Sequence, residues 1–237
     1  SKVRVTKDGK IAESAWLFGS DNDKPAFAGS LIFSEARLLA FPIRSARGSY
    51  AWITCPIMLQ RAARDGVLTS SIPTEPIDDR AIFKFDGPLA LADQKIVLEE
   101  YCFTHTDTYP ANLAKALADL VPDDSLFHSI EDRLVILSNG ILSHFVTTAC
   151  EVAQHVRISD ETGTAEGTGL FNQENVPADT LFYSVLSATD SRVPNDHDLS
   201  EKKADDALSN FGKKITTEKV FQFGGDASTG LGFTSVN

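Results

Sequence analysis

The apolar and polar positions along the chain predict a mixture of strands and helices. Runs rich in Leu, Ile, Val and Phe that are closed by Pro, Gly or charged residues are typical of strands. We expect strands over 29–43, 81–85, 95–103, 133–137, 156–158, 181–186 and 219–223. Between them, Pro and Ser in 69–79 predict a loop, and Gly and Thr in 160–169 predict a hairpin tip or a mobile loop.

Helical spacing of apolar residues predicts four helices, over 56–65, 111–121, 141–154 and 198–211. Pro56 is tolerated in a first turn, and Gly66 suits a helix exit. Asp198 followed by Glu201 resembles a capping box, and Gly212 is expected to end the last helix. Strands and helices alternate irregularly, so we expect an α+β fold with helices on one face of a sheet.

The composition is that of a globular protein without a membrane span. The 237 residues are 42% hydrophobic and 23% charged. No run of about 18 apolar residues occurs, and the first residues carry no apolar signal region. Cys55, Cys102 and Cys150 are far apart and form no C-x-x-C pair. They predict a reduced, cytoplasmic protein with three buried thiols.

The formal charge of −11 is distributed unevenly along the chain. Residues 36–64 contain five arginines and no acid, so this stretch carries +5 and the remainder −16 (−11 minus +5). A locally basic face on an acidic body would suit phosphate binding. The alternative is that these arginines lie at the surface or pair with acids from elsewhere in the chain.

Several arginines have the chemistry for binding an RNA backbone. Arg44 and Arg47 flank a predicted turn that also holds Ser45 and Gly48. Arginine offers paired donors to phosphate, and glycine permits a close approach of the backbone. Arg157 precedes the predicted hairpin tip and can reach a phosphate. The alternatives are a salt bridge in the loop and a solvated charge at a strand edge.

The C-terminal glycines are a second candidate for phosphate binding. Gly224, Gly225, Gly230 and Gly232 lie within nine residues of one another. Successive backbone amides in such a segment can face phosphate oxygens. The alternative is a plain turn between strand ends.

Three segments resemble one known family. They are FPIRS (41–45) with GSYAWITCP (48–56), TGTAEG (162–167) with TLFY (180–183), and the glycine-rich 224–232. Supporting matches are VLEEY (97–101) and the helix around 145–152. Over about residues 18 to 236 the chain resembles the RAMP-superfamily backbone subunit of the type III-B CRISPR (Cmr) effector complex.

The resemblance implies a single domain over 1–237 with an RRM-like (ferredoxin-like) palm, helical insertions and a β-hairpin thumb near 155–175. It implies an antiviral complex whose copies stack in a helical filament, with guide RNA, target RNA, copies of itself and other Cmr-complex subunits as partners. It also implies metal-dependent cleavage of target RNA at six-nucleotide intervals, with Mg or Mn and no organic cofactor. On this basis Thr162 and Gly163 join the RNA-binding candidates.

The chain departs from the family pattern where RNA cleavage is expected. Family members begin with a strand, a loop carrying a cleavage aspartate and then G-S-S-x-K-G. Neither the loop nor that motif is found here, so we expect the main catalytic acid upstream of Ser1. At the positions that correspond to 172–175, family members commonly have two acidic residues and an aromatic residue. Here Glu174 is the remaining acid and Asn175 stands where Tyr is common. Glu174 is the catalytic candidate, and a solvated carboxylate is the alternative.

Other polar residues predict less. The stretches 21–23 and 195–198 have metal-compatible atoms without a matching ligand set, so we expect solvated loops and no metal site there. His144 can approach RNA, although a half-buried, hydrogen-bonded histidine is the favoured interpretation. Three functions stay open: an RNA-binding subunit that cleaves, a non-catalytic RNA-binding scaffold, and an acidic domain that binds protein partners.

Overall fold

The computed structural model describes residues 6–7, 10–11, 14–20, 26–194 and 198–237. Within these residues the chain forms two compact units. We call Arg37–Tyr183 the central unit, and the described parts of Ser1–Ala36 and Ser184–Asn237 the terminal unit. The acidic stretch 21–23 lies outside the described residues, as do positions 195–197 of the second polar stretch.

The described residues form seventeen strands and six α-helices. The strands are β1 (Thr6–Lys7), β2 (Lys10–Ile11), β3 (Gly19–Ser20), β4 (Phe27–Ala28), β5 (Leu31–Phe33), β6 (Arg37–Ser45), β7 (Ser49–Thr54), β8 (Arg80–Phe83), β9 (Lys95–Leu98), β10 (Tyr101–Asp107), β11 (Leu134–Ile136), β12 (Glu151–Ile158), β13 (Ala165–Asn175), β14 (Leu181–Tyr183), β15 (Leu186–Ala188), β16 (Val220–Gln222) and β17 (Phe233–Ser235). The helices are α1 (Ala15–Phe18), α2 (Pro56–Arg64), α3 (Ala111–Ala118), α4 (Ile130–Arg133), α5 (Asn139–Thr148) and α6 (Ala204–Glu218). None of these described helices has the length and apolarity needed to cross a membrane.

Six strands of the central unit form a sheet that closes on itself. Their order is β6-β7-β11-β8-β10-β9, and β9 pairs again with β6 where Ser45 lies opposite Leu98. Beside that pair, the Glu99 amide donates to the Arg44 carbonyl at 3.0 Å. β14 pairs with β6 outside this ring. The closure brings the turn after β9 next to the end of β6.

In β7 and β11 side chains on both faces are buried, and successive side chains point to opposite sides of a strand. Trp52 packs in one cluster with residues of α2, α3 and α4. Its neighbour Ile53 packs in a second cluster that includes Phe145 of α5. Helices therefore contribute to both clusters, and the expectation of helices on one face is wrong. The mixed α+β class is confirmed.

β12 and β13 form an antiparallel hairpin in the central unit. The register runs from Glu151 opposite Asn175 to Val156 opposite Leu170, and the chain reverses after Ile158. The hairpin includes the segment 155–175 for which the sequence predicts a thumb. A thumb role and an RRM-like palm stay predictions.

The helix predicted over 141–154 is wrong at its C-terminal end. α5 stops at Thr148, and β12 begins at Glu151. Val152 is 64% exposed and lies opposite Glu174, instead of lining a buried helix face. Backbone pairing along the hairpin outweighs the helical spacing of a few apolar residues, since tertiary context overrides weak local preference.

Two predicted strands are each divided in the structure. Within 95–103, a two-residue turn at Glu99 and Glu100 separates β9 from β10. Within 29–43, a break separates β5 from β6, and β6 continues through Pro42 instead of ending there. β14 pairs with β6 only from Arg37 to Ala40, and Pro42 lies beyond that pairing. Because proline has no N–H to donate, it is tolerated at a position where β14 offers no acceptor.

The start of α6 differs from the predicted capping box at Asp198. That residue belongs to a 3₁₀ turn, and the helix begins at Ala204. The Lys203 amide donates to Asp206 at 2.9 Å, and the Ala204 amide donates to Asp190 at 3.1 Å. Lys203 Nζ also lies 2.9 Å from Asp190. The hydrogen bonds from the Lys203 side chain and from the Ala204 amide lower the pKa of the Asp190 carboxyl.

Gly212 does not end the last helix, which continues to Glu218. An exposed glycine inside a helix costs about 1 kcal/mol relative to alanine. That penalty is too small to stop a helix whose N-terminus is well capped. The sequence alone does not distinguish a glycine inside a helix from a glycine that ends one.

The three cysteines are free thiols, but only Cys55 is buried. Cys102 is exposed and Cys150 is partly buried. The expectation of three buried thiols is therefore wrong for two of them. Cys102 precedes the buried Phe103 on β10 and points to the opposite side of the strand.

Candidate functional site

The turn between β6 and β7 contains four of the predicted RNA-binding residues. Arg44 and Ser45 end β6, and Arg47 and Gly48 form the turn. Gly48 has a φ of 78°, and a Cβ atom there would lie 3.0 Å from the Leu89 side chain. The positive φ therefore favours glycine, and a larger residue would also press on the Leu89 side chain. Arg44 and Arg47 are exposed on either side of this turn.

The guanidinium of Arg44 is paired with the carboxylate of Glu99. Arg44 Nε lies 3.0 Å from Glu99 Oε1, and Arg44 Nη2 lies 2.7 Å from Oε2. The Arg44 side chain is 85% exposed, whereas that of Glu99 is 16% exposed. The hydrogen bond to Glu99 raises the pKa of Arg44 above its ordinary value. One edge of the guanidinium is thus occupied by an internal carboxylate.

Other arginines of the basic stretch are also paired with acids. Arg37 is hydrogen-bonded to Asp65, and Arg64 Nε lies 3.5 Å from the same carboxylate. The alternative in which arginines of 36–64 pair with acids from elsewhere is therefore confirmed for Arg37 and Arg44. The effective positive charge of this stretch is smaller than the sequence count of +5.

Ser45 and Arg47 both make contacts inside the protein. The buried Ser45 hydroxyl donates to the Val97 carbonyl at 3.3 Å, and the Arg47 guanidinium donates to the Ala90 carbonyl. The Ser45 side chain therefore helps to join β6 to β9. A contact between either residue and RNA stays a prediction.

A cleft of about 750 Å³ lies beside Arg44 in the central unit. On its wall, Tyr101 Oη lies 3.0 Å from His144 Nε2, and the Tyr101 ring stands nearly perpendicular to that of Phe145. His144 is hydrogen-bonded as expected, but it is exposed instead of half-buried. The acidic lining residues are Glu99, Glu100, Glu151 and Asp179. Because carboxylates outnumber the guanidinium, a phosphate is favoured only at the exposed rim where Arg44 lies.

The tip of the β12–β13 hairpin contains Thr162 and Gly163, both exposed. Gly163 has a φ of 64°, and its amide donates to the Ser159 carbonyl at 2.9 Å. Thr162 Oγ1 lies 2.9 Å from Thr164 Oγ1. Arg157 is exposed on β12, before the turn. The hydroxyl pair and the guanidinium are suitable donors for phosphate oxygens.

Glu174 is exposed on β13, opposite Val152. Over the residues that the structure describes, no three His, Cys, Asp or Glu side chains come together as metal ligands would. A catalytic role for Glu174, and the metal that it would need, stay predictions.

The glycine-rich segment of the terminal unit folds around one side-chain amide. Gln222 Nε2 lies 3.2 Å from the Gly224 carbonyl and 3.1 Å from the Gly225 carbonyl. Gly230 and Gly232 have φ values of 86° and 75°, and a Cβ on Gly232 would lie 1.9 Å from a backbone oxygen. The loop therefore needs glycine for its own geometry. Phosphate binding by its amides stays a prediction.

The family assignment follows from comparison with known proteins. A sequence model of the RAMP superfamily matches residues 5–235. The chain belongs to the RAMP superfamily. The resemblance drawn from the three sequence segments is confirmed.

Relatives of this RAMP chain include the CRISPR system Cmr endoribonuclease Cmr4 of Pyrococcus furiosus. The two are 30% identical over 228 residues, which is 93% of this chain and 73% of the relative. The crystal structure of Pyrococcus furiosus Cmr4 (Cas7) matches with a TM-score of 0.61 at 25% identity, covering 87% of this chain and 73% of that one. A Type III-B Cmr-beta structure bound to cognate target RNA matches with a TM-score of 0.61 at 16% identity, covering 93% and 74%, which shows the fold alone.

Sequence reasoning missed two charged residues of the RAMP chain's site, Glu99 and Arg133. Glu99 lies in the VLEEY motif, but its pairing with Arg44 spans 55 residues and depends on the closure of β9 onto β6. Two successive glutamates inside an apolar run are a signal for a turn, because Glu is depleted in strands. Arg133 donates to the Gly48 and Tyr50 carbonyls, and no local pattern points to that contact.

Proposed function

We propose that the chain is a guide-RNA-binding backbone subunit of a type III-B CRISPR antiviral effector complex. The observation that carries the proposal is the 30% identity with a Cmr4 protein over 93% of the chain. Fold similarity to a Type III-B complex bound to target RNA supports it. Guide RNA, target RNA, further copies of the chain and other Cmr subunits are the proposed partners, and the cytoplasm is the proposed location.

The β6–β7 turn is the proposed contact with the RNA backbone. Arg44 is exposed near the end of a strand that is hydrogen-bonded on both edges, and Arg47 is exposed in the turn that follows it. Such pairing fixes the backbone from which the Arg44 side chain projects, which lowers the entropy lost when a phosphate binds. Arg157 and the Thr162–Gly163 tip form a second proposed contact, and the glycine loop of the terminal unit a third.

The β12–β13 hairpin is the proposed thumb. Val156 and Leu170 lie opposite each other and are 50% and 61% exposed. A two-stranded hairpin is only marginally stable alone. Burial of this apolar pair against RNA bases or a second copy would stabilise the hairpin, which supports assembly into a filament. The closed sheet of the central unit is the proposed RRM-like palm.

Charge reversal tests the proposed contact surface. The variant Arg44→Glu/Arg47→Glu is compared with Arg61→Glu/Arg64→Glu, an equal change on α2 in the same acid-poor stretch. Binding of single-stranded RNA is measured at several salt concentrations. We expect at least a tenfold loss for the turn variant, and a salt dependence lower by about 0.7 for each phosphate contact removed. Equal effects in the two variants would show that the turn is not the contact surface.

A second candidate function is cleavage of target RNA at six-nucleotide intervals with Mg or Mn. The relative named as an endoribonuclease favours it. The test is incubation of the assembled complex with labelled target RNA, with each metal and with a chelator. Regular, metal-dependent products support cleavage, and intact target RNA leaves the scaffold function alone. Loss of cutting in Glu174→Gln would assign that carboxylate a role.

A further inference from the structure

We infer that Glu99 is a specificity-determining residue, whose carboxylate occupies the phosphate-binding edge of Arg44 and must be displaced by an RNA phosphate. The inference rests on the proposed RNA-binding function. It concerns which RNAs the β6–β7 turn accepts, and it gives a role to a residue that otherwise only neutralises an arginine.

The two side chains meet in the geometry with which arginine binds phosphate. Arg44 Nε and Nη2 lie 3.0 and 2.7 Å from the two Glu99 carboxylate oxygens. A phosphate also presents two oxygens to such a fork, so carboxylate and phosphate compete for the same pair of donors. A phosphate that does not displace Glu99 is left with the outer Nη donors and a weaker, single-edged contact.

Glu99 is held in place by its backbone. It is the first residue of the two-residue turn between β9 and β10, and it adopts a φ of 50°, which is uncommon for a residue other than glycine. Its amide donates to the Arg44 carbonyl at 3.0 Å. The two residues are therefore joined by backbone and side chain together, which keeps the Glu99 carboxylate next to the guanidinium until a phosphate competes for it.

Exposure determines which partner moves. The Arg44 side chain is 85% exposed and has room to turn outward once its pairing with Glu99 breaks, whereas the Glu99 side chain is 16% exposed. When Arg44 turns to a phosphate, a largely covered carboxylate loses its cation, which is unfavourable. Glu100, Glu151 and Asp179 line the same cleft and add repulsion. Arg44 therefore engages a phosphate only when other contacts already hold the RNA.

The predicted outcome is discrimination against short, weakly anchored RNA. A long RNA bound by several surfaces brings a phosphate to Arg44 at high effective concentration, which overcomes the internal competitor. A short RNA lacks that advantage. Removing the Glu99 charge should therefore strengthen the binding of short RNA more than that of long RNA.

The test uses Glu99→Gln, which keeps the side-chain shape and one oxygen acceptor but removes the charge. Glu100→Gln is the matched control, because it makes the same charge change at the next residue of the same turn. Affinities of the full chain for a short single-stranded RNA and for one several times longer are measured at fixed salt. We expect Glu99→Gln to bind the short RNA about 2- to 5-fold more tightly than Glu100→Gln, the range that corresponds to loss of one competing ion pair near the surface.

Combination with Arg44→Ala completes the test. If Glu99 acts through Arg44, Glu99→Gln has no more effect than Glu100→Gln in the Arg44→Ala background. A gain that persists there, a gain equal to that of Glu100→Gln, or weaker binding by Glu99→Gln would each overturn the inference. If thermal unfolding shows that Glu99→Gln is destabilised, Glu99→Asp replaces it. The shorter side chain reaches Arg44 less well, so tighter binding of the short RNA is again expected. Absence of RNA binding by the wild-type chain would instead reject the proposed function.

Discussion

The guanidinium carbon of Arg133 lies 4.4 Å from the centre of the Tyr50 ring. The same guanidinium donates to the Gly48 carbonyl and, at 3.0 Å, to the Tyr50 carbonyl. One side chain from α4 thus holds both the turn and the first part of β7. The conformation that exposes Arg47 therefore depends on a residue outside the proposed RNA contact.

Replacing Arg133 should destabilise the central unit. Arg133→Ala removes two hydrogen bonds from a charged donor and the contact with the aromatic face, so we expect a loss of about 2–4 kcal/mol in the free energy of unfolding. Arg133→Lys keeps the charge without the planar fork and should lie in between. Urea unfolding measures both. The exposed Arg61→Ala on α2 is the control, and an equal loss there would contradict a special role for Arg133.

Acid stability should depend on Asp65. Hydrogen bonds from Tyr183 and then Arg37 lower the pKa of the Asp65 carboxyl. A folded-state pKa below the unfolded value gives stabilisation that is present above about pH 4 and lost as the pH falls through the folded-state value. Asp65→Asn should therefore flatten the acid side of the stability profile measured by thermal unfolding. Asp160→Asn, an exposed change at the hairpin turn, should leave that profile as in the wild type.

Alkaline pH should weaken the same contact. Burial, followed by the hydrogen bond to Asp65, raises the pKa of the Tyr183 hydroxyl. Stabilisation from the neutral phenol is then complete below about pH 10 and is lost as the pH rises through the folded-state pKa. Tyr183→Phe should remove this alkaline loss and also reduce the acid loss. Stability profiles identical to the wild type at both extremes would contradict the arrangement.

The glycine loop should tolerate substitution at one glycine and not at another. A Cβ on Gly232 would lie 1.9 Å from the Phe223 carbonyl oxygen, and its φ of 75° disfavours alanine. Gly225 has open space at the Cβ position. We expect Gly232→Ala to raise hydrogen exchange across 224–232 at least tenfold, and Gly225→Ala to leave it close to the wild-type rate. If RNA binding falls only in Gly232→Ala, the loop geometry matters to the proposed contact.

Assembly should depend on the exposed apolar pair of the hairpin. Val156→Ser/Leu170→Ser removes apolar surface that is already in water, so stability should change by less than about 0.5 kcal/mol. Under the proposed function, sedimentation with RNA should show smaller assemblies. Ile77→Ser, at a residue 63% exposed in a loop, is the control. Unchanged assembly in the hairpin variant would show that this face is not used.

Sequence patterns predicted the elements that are bounded by local signals. α2 lies between Pro56 and Gly66 as expected, because a first-turn proline and a terminal glycine act within a few residues. The start of β12 was not predictable in the same way. Its conformation depends on pairing with β13 residues that lie twenty or more positions away in the sequence.

In the candidate site too, residues marked by local sequence signals were predictable and residues joined by distant contacts were not. The turn at Arg44 and Arg47 was found from residue types and from a family motif, both of which are local. Glu99 was not found, since its contact with Arg44 exists only where β9 closes onto β6. The effective charge of the basic stretch also could not be predicted from the sequence. Ion pairs with Asp65 and Glu99 neutralise part of it in the folded chain.

The double-edged pairing of β6 has a mechanical consequence. This strand is bonded to β7 from Phe41 to Ser45 and to β9 at Ser45. A pull on Arg44 along the strand axis loads these bonds together, in shear, instead of peeling them apart in succession. A load applied at Arg44 would therefore be shared by these backbone hydrogen bonds. The turn can act as a fixed anchorage under tension.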